Sequence, residues 1–274
     1  LYAVTGTLNM ADMAVKAREI APGDEALLLV GAALLLIVFA IKAALFPMQF
    51  WLPGTYANAP APVAALFAIM TKDGAYAILR MYTLLFGPAL SAVGQLFVDL
   101  VLPAALITIL VGSIGVLGAR RLPRLLAFSV LASMGTLLVS MSLNTEQGTT
   151  AALYYMVHST FAAAVLFLIS DLTAVAAHRN KGAPGGLIAA MFFAGAIAMA
   201  GMPPLSGFLG KLLILDAARS SPYAGVIWAV ILGGSLLVII GCARIGTVVC
   251  WKAAGPEEFD EDERETPALP QPTR

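Results

Sequence analysis

The chain is 274 residues long, 60% hydrophobic and only 12% charged, with a mean hydropathy of +0.89. Water-soluble domains are about half apolar and about a quarter charged, so an ordinary soluble fold is excluded. Net charge is +0 and the basic residues are scattered rather than gathered in one patch, which sets nucleic acid aside as a partner. Cys242 and Cys250 share one apolar stretch with neither a CxxC spacing nor a paired histidine. They read as packed or lipid-facing small hydrophobes rather than a disulfide or metal site, and no metal or cofactor is expected.

A membrane helix needs roughly 20 apolar residues to cross about 30 Å of hydrocarbon. About seven runs meet that requirement and predict an all-α polytopic membrane protein. In chain order they cover Glu25–Phe46, Ala61–Phe86, Gln95–Leu117, Leu122–Leu143, Thr149–Leu172, Gly186–Ala218 and Tyr223–Trp251. Turn chemistry separates them at Pro53-Gly54 with Asn58, Gly87-Pro88, Gly118 to Arg121, Asn144 to Gly148, His178 to Gly182, and Arg219 to Pro222. Pro123 then falls in the first turn of its helix, where proline is tolerated.

Lys and Arg accumulate in short cytoplasmic connections. Arg120, Arg121 and Arg124 cluster at one connection, the next holds only Glu146, and the one after holds Arg179 and Lys181. That alternation puts the Arg120 and Arg179 connections and the tail in the cytoplasm, and the segment before Glu25 outside. Lys16, Arg18 and Arg219 run against it. Residues 1–24 read as an extramembrane segment, and Leu1, with no signal pattern after it, reads as a start inside a larger protein. From Glu257 onward, acidic residues followed by Pro267, Pro270 and Pro272 read as a disordered cytoplasmic tail over residues 252–274, with an acidic docking motif as the alternative.

Ionisable groups at membrane depth are expensive and mark pathways or paired positions. Lys72 lies about 11 residues into its run, roughly 16 Å deep, so it is either functional or paired inside the bundle. Asp73 is adjacent, but helical neighbours point about 100° apart. Lys42 ends its run, where snorkelling is ordinary. The uncharged stretch that follows is interrupted by Pro47, Pro53, Gly54, Pro60 and Pro62, which suggests a discontinuous helix lining a cavity. Lys211 follows a second break, Gly201-Met202-Pro203-Pro204-Leu205-Ser206-Gly207; a straight helix from Gly186 would have carried it about 37 Å, out of the hydrocarbon. Two interrupted segments, each near a lysine, form the pattern expected of transporter sites. His158, in mid-run, reads equally as a proton relay or a hydrogen-bonded core histidine.

Ile41-Lys42-Ala43-Ala44-Leu45-Phe46-Pro47, Phe50-Trp51-Leu52-Pro53, Ala61-Pro62-Val63, Thr71-Lys72, Gly74-Ala75-Tyr76 and Gly201 to Phe208 with Lys211 resemble one family. It is the antiporter-like subunits shared by Mrp-type multisubunit cation/proton antiporters and respiratory complex I. The Thr5–Asp12 and Tyr76–Arg80 stretches are most similar to the D-type members. The resemblance implies inverted bundles of five helices, each with a broken helix and a lysine: residues 25–86 as the end of the first, residues 95–251 as the second. It implies Lys42 as the first broken-helix lysine, Lys72 as the linking lysine, Lys211 as the counterpart of Lys42, and His158 as the histidine on the preceding helix. Three positions depart from the pattern: Ala162 replaces a lysine common one turn after His158, Asp73 replaces a small or apolar residue, and the helices bearing the partner glutamate are not in this chain.

The resemblance further implies a transporter component rather than an enzyme, in a bacterial inner membrane, working with other subunits. Protons would pass along Lys42, Lys72, His158 and Lys211, coupled to Na⁺ or K⁺ movement. A complex I-type proton-pumping subunit and a non-conducting assembly subunit are the alternatives.

Overall fold

A computed structural model describes residues 1–17, 25–84, 91–180 and 186–251. Arg18, the Gly87-Pro88 turn, Lys181 and the acidic tail lie outside the described residues, as does the Arg179 side chain. The described residues are helical, in the order α1 (Tyr2–Thr5), α2 (Met10–Lys16), α3 (Glu25–Lys42), α4 (Trp51–Asn58), α5 (Ala61–Leu84), α6 (Ser91–Gly118), α7 (Leu122–Ser142), α8 (Glu146–Asn180), α9 (Gly186–Ala200), α10 (Ser206–Ala217) and α11 (Ala224–Trp251), with a 3₁₀ turn at Ala218–Ser220. Among the described residues, five helices are long and apolar enough to cross a membrane: α5, α6, α7, α8 and α11. The two shorter apolar helices, Ala26–Lys42 and Gly186–Ala200, are the first halves of interrupted segments that resume as α4 and α10. Five continuous and two broken spans account for the seven apolar runs.

Helix α7 sits at the centre. It is 94% buried over its apolar window, against 44% for α6 and 33% for α11, although its mean hydropathy of 1.8 is below their 2.5. In a bilayer the outermost helices must match the lipid, and hydroxyl-bearing ones gain by facing protein. Ser129, Ser133, Thr136 and Ser140 lie at helical spacing on α7, and the first three donate to carbonyls of their own helix (Leu125, Val130 and Ala132), so each carries its own partner. Around α7 pack α4, α5, α6, α8 and α11, and α10 packs on α8. One continuous apolar core runs from Ala43 to Ile245.

Two turns expected from the sequence take a different form. Pro53-Gly54 lies within α4 rather than in a loop: Pro53 is the third helical residue, where a missing N–H costs no intrahelical bond. The Asn144–Gly148 turn is shorter than its composition suggests, because Asn144 adopts φ 51 and Thr145 Oγ1 accepts from the Gly148 N–H at 2.9 Å, which starts α8 at Glu146. At the N-terminus, Asn9 caps α2 by accepting from the Ala11 N–H at 3.0 Å, and Met13 packs with Ala32, Leu29 and Met81 of α3 and α5.

Candidate functional site

Each break leaves carbonyls at the end of its first half-helix without intrahelical partners, and something must satisfy them. At the first break the chain does so with its own backbone and an indole. The Ala43 and Leu45 N–H groups donate to Phe39 and Ala40, and Trp51 Nε1 donates to the Ile41 carbonyl at 2.9 Å. The Phe46 N–H is taken by Thr108 Oγ1 of α6 at 2.9 Å, which ties the break to the bundle. Lys42 itself is exposed, and its amine has no hydrogen-bond or ionic partner among the described residues. Its backbone lies directly against Gly74 of α5, where a Cβ would stand 3.0 Å from the Lys42 carbonyl carbon.

At the second break the Gly201 and Met202 N–H groups donate to the Ile197 and Ala198 carbonyls, and two ionisable side chains complete the work. Lys211 Nζ on α10 reaches back to donate to the carbonyl of Ala200, the last residue of α9, at 2.7 Å, and to Ser235 Oγ on α11 at 2.7 Å. A cation at a helix C-terminus also meets the negative end of the helix dipole. His158 of α8 straddles the break: Nε2 lies 3.1 Å from the Ala198 carbonyl on α9 and Nδ1 lies 2.9 Å from Ser206 Oγ on α10. A carbonyl can only accept, so Nε2 carries the proton, and in the neutral ring Nδ1 accepts from the Ser206 hydroxyl. Glycine makes this approach possible. A Cβ on Gly207 would overlap the Ala198 carbonyl oxygen and sit 2.8 Å from His158 Nε2, and Gly201 turns the chain at φ 79.

Lys72 of α5 is 3% exposed, and its amine donates to Ser133 Oγ of α7 at 3.0 Å. Lys72 and Lys211 therefore share one arrangement. Ser133 gives its own proton to the Val130 carbonyl and Ser235 gives its proton to the Ile231 carbonyl, so each serine presents an oxygen to an amine. No carboxylate is paired with either lysine among the described residues. Asp73 is exposed on a different face of α5 from Lys72. A cavity of ≈ 10 Å³, the size of about one water, is lined by both serines together with Thr136, Tyr155 and Lys211. Beside Lys72, Tyr56 of α4 hydrogen-bonds to Thr71 and to the Phe67 carbonyl, fixing the turn of α5 that precedes the lysine.

Of the four residues singled out from the sequence, Lys72, His158 and Lys211 converge on one polar axis, and Lys42 stands apart on the outer face of α3. Sequence reasoning passed over Ser133, Ser235, Thr136 and Tyr155. The signal for the α7 pair was present: Ser129, Ser133, Thr136 and Ser140 fall on one helical face of an otherwise apolar run. Ser235 carries no such signal.

A polytopic membrane protein with two interrupted helices and lysines at their junctions is a transporter-type fold by architecture. Residues 1–240 match the family model described as NADH:quinone oxidoreductase/Mrp antiporter, TM, and the chain belongs to that family. It is 36% identical to the D subunit of the Na(+)/H(+) antiporter of Bacillus subtilis, over 97% of this chain and 52% of that one. It is 34% identical to the D subunit of the probable K(+)/H(+) antiporter of Rhizobium meliloti, over 92% of this chain and 53% of the relative. A chain in the structure of the Mrp complex from Dietzia sp. superposes with a TM-score of 0.79 at 30% identity, covering 91% of this chain and 46% of that one. The chain thus spans about half the length of the curated relatives it matches.

Proposed function

We propose that this chain is part of a D-type component of a multisubunit cation/proton antiporter in a bacterial inner membrane, and that it carries protons along Lys72, Lys211 and His158. The observation that carries the reading is the polar axis around α7. Two lysine amines are held by serines whose own protons are spent, and both serines line one small polar cavity in an otherwise apolar bundle. An amine bound to a hydroxyl oxygen rather than to a carboxylate has no fixed counter-charge to keep it cationic, which suits a group that takes up and gives up a proton. His158, joined to both halves of the second break, supports a role in passing protons between that break and α8. Lys42 belongs to the same reading as the lysine of the first break, and its exposed face is where we place contact with the rest of the complex. The relatives named as antiporter components support cation exchange with Na⁺ or K⁺ over the pumping of a complex I-type arm.

The test is to replace Lys72 and Lys211 singly with alanine in the complete complex and to measure ΔpH-linked Na⁺ and K⁺ exchange in everted vesicles. Assembled complexes that have lost exchange are expected. Normal exchange in both variants would remove the relay assignment, and loss of the complex itself would favour an assembly role.

A further inference from the structure

A second cavity, of ≈ 510 Å³, lies between α4 and the N-terminal half of α7, away from the lysine axis. Its lining includes Gln49, Phe50, Asn58, Arg121, Arg124 and Phe128, with no acidic residue. Two further features mark it as a site. Gln49 is 4% exposed, and its Oε1 is buried without a hydrogen-bond partner among the described residues. A buried, unpaired amide oxygen costs free energy unless something donates to it. The cavity also opens at the start of α7, whose N-cap residue, Arg121, makes no side-chain cap, so the positive end of a 21-residue helix adds to two guanidinium groups. Arg244 reinforces the charge at this end by donating to the Leu117 and Ala119 carbonyls beside the same connection.

This charge is wrong for a cation path and right for an anion. The apolar part of the lining, Phe50, Phe128, Val111 and Leu131, is wrong for a free, fully hydrated one. A phosphodiester carrying acyl chains meets both conditions, and a headgroup hydroxyl supplies the donor that Gln49 lacks. We propose that this cavity binds an anionic phospholipid with a hydroxylated headgroup, its phosphate held by Arg121 and Arg124 and its hydroxyl donating to Gln49 Oε1. The site tethers α4, the second half of the first broken segment, to the leaflet on the side of the Gly118–Arg121 connection. It does not depend on the proton reading.

The purified complex, delipidated in detergent, is offered phosphatidylglycerol, phosphatidic acid, phosphatidylcholine or inorganic phosphate, with binding read by native mass spectrometry and by the thermal midpoint. Phosphatidylglycerol is expected to bind and to raise the midpoint, at least about tenfold more tightly than phosphatidylcholine. Arg121 and Arg124 are both exposed, so Arg124→Gln leaves the core intact, and it is expected to weaken phosphatidylglycerol about tenfold. Gln49→Leu is expected to weaken phosphatidylglycerol roughly threefold to tenfold while leaving phosphatidic acid, which has no headgroup hydroxyl, unchanged. Equal binding of phosphatidylcholine, indifference to Arg124→Gln, or an equal loss of both anionic lipids in Gln49→Leu would overturn the proposal. Inorganic phosphate that displaces the lipid at equal concentration would also overturn it, in favour of a free-phosphate site.

Discussion

At both breaks an apolar helix stops, a cis X-Pro bond follows, and a short second helix begins; yet Lys42 stands exposed and Lys211 is half-buried. The difference lies in who satisfies the free carbonyls. In the first break they are taken by backbone N–H groups and by Trp51, none of which titrates near neutral pH. In the second the Gly201 and Met202 N–H groups take the Ile197 and Ala198 carbonyls, and the side chains of His158 and Lys211 add donors to Ala198 and Ala200. Order along the chain explains this. Lys42 precedes its break and cannot fold back over it, whereas Lys211 follows its break by about one and a half helical turns and reaches the end of α9.

Replacing each lysine with alanine sharpens this contrast most. Both variants are expected to lose exchange in the complex, the largest effect predicted. Lys211→Ala should also lower stability by about 1–3 kcal/mol, because the Ala200 carbonyl and Ser235 lose their partner, whereas Lys42→Ala should stay within about 0.5 kcal/mol. Thermal denaturation of the two assembled variants checks it, and an equal stability loss would erase the distinction. Next in size is Gly207→Ala. Its added methyl would force α10 away from Ala198 and His158, costing about 1–3 kcal/mol and most of the exchange, and a variant with normal stability would show that the second break is loosely packed.

The lysine of α5 resembles that of the second break more than that of the first. Ser133→Ala leaves the Lys72 amine without its hydroxyl partner and is expected to cost about 1–3 kcal/mol with a several-fold drop in exchange. Ser133→Thr, which keeps the oxygen, should restore most of the exchange. Smallest is Asp73→Val. Asp73 is exposed and faces away from Lys72, so stability should change by no more than about 0.5 kcal/mol and exchange should persist. A complex that falls apart on this change would show that Asp73 meets a cation on a partner helix.

Much of this was legible before any coordinates. Membrane spans follow from hydropathy because the bilayer leaves few ways to satisfy backbone groups, and both interruptions follow from clustered proline and glycine. The burial of Lys72 agrees with its position in the middle of its run. What could not be read was the pairing across helices: that Lys72 meets Ser133 and Lys211 meets Ser235, residues 61 and 24 positions away, depends on which helices neighbour one another. Pro53-Gly54 misled for a local reason, since the same dipeptide suits a turn or a first helical turn, and only the packing of α4 on α7 decides.

The placement of α7 bears on how such a protein is made. Its neighbour α6 is apolar enough to leave a translocation channel for lipid on its own, but α7 carries a row of hydroxyls and opens with Arg121 and Arg124. Joined by only Ala119 to Arg121 and packed along their lengths, α6 and α7 can enter the bilayer as one hairpin, the more apolar partner covering the less apolar one. The helix that holds Ser133 for Lys72 would then be the one that depends most on its companions to remain in the membrane, so a fault in biogenesis would reach the lysine axis first.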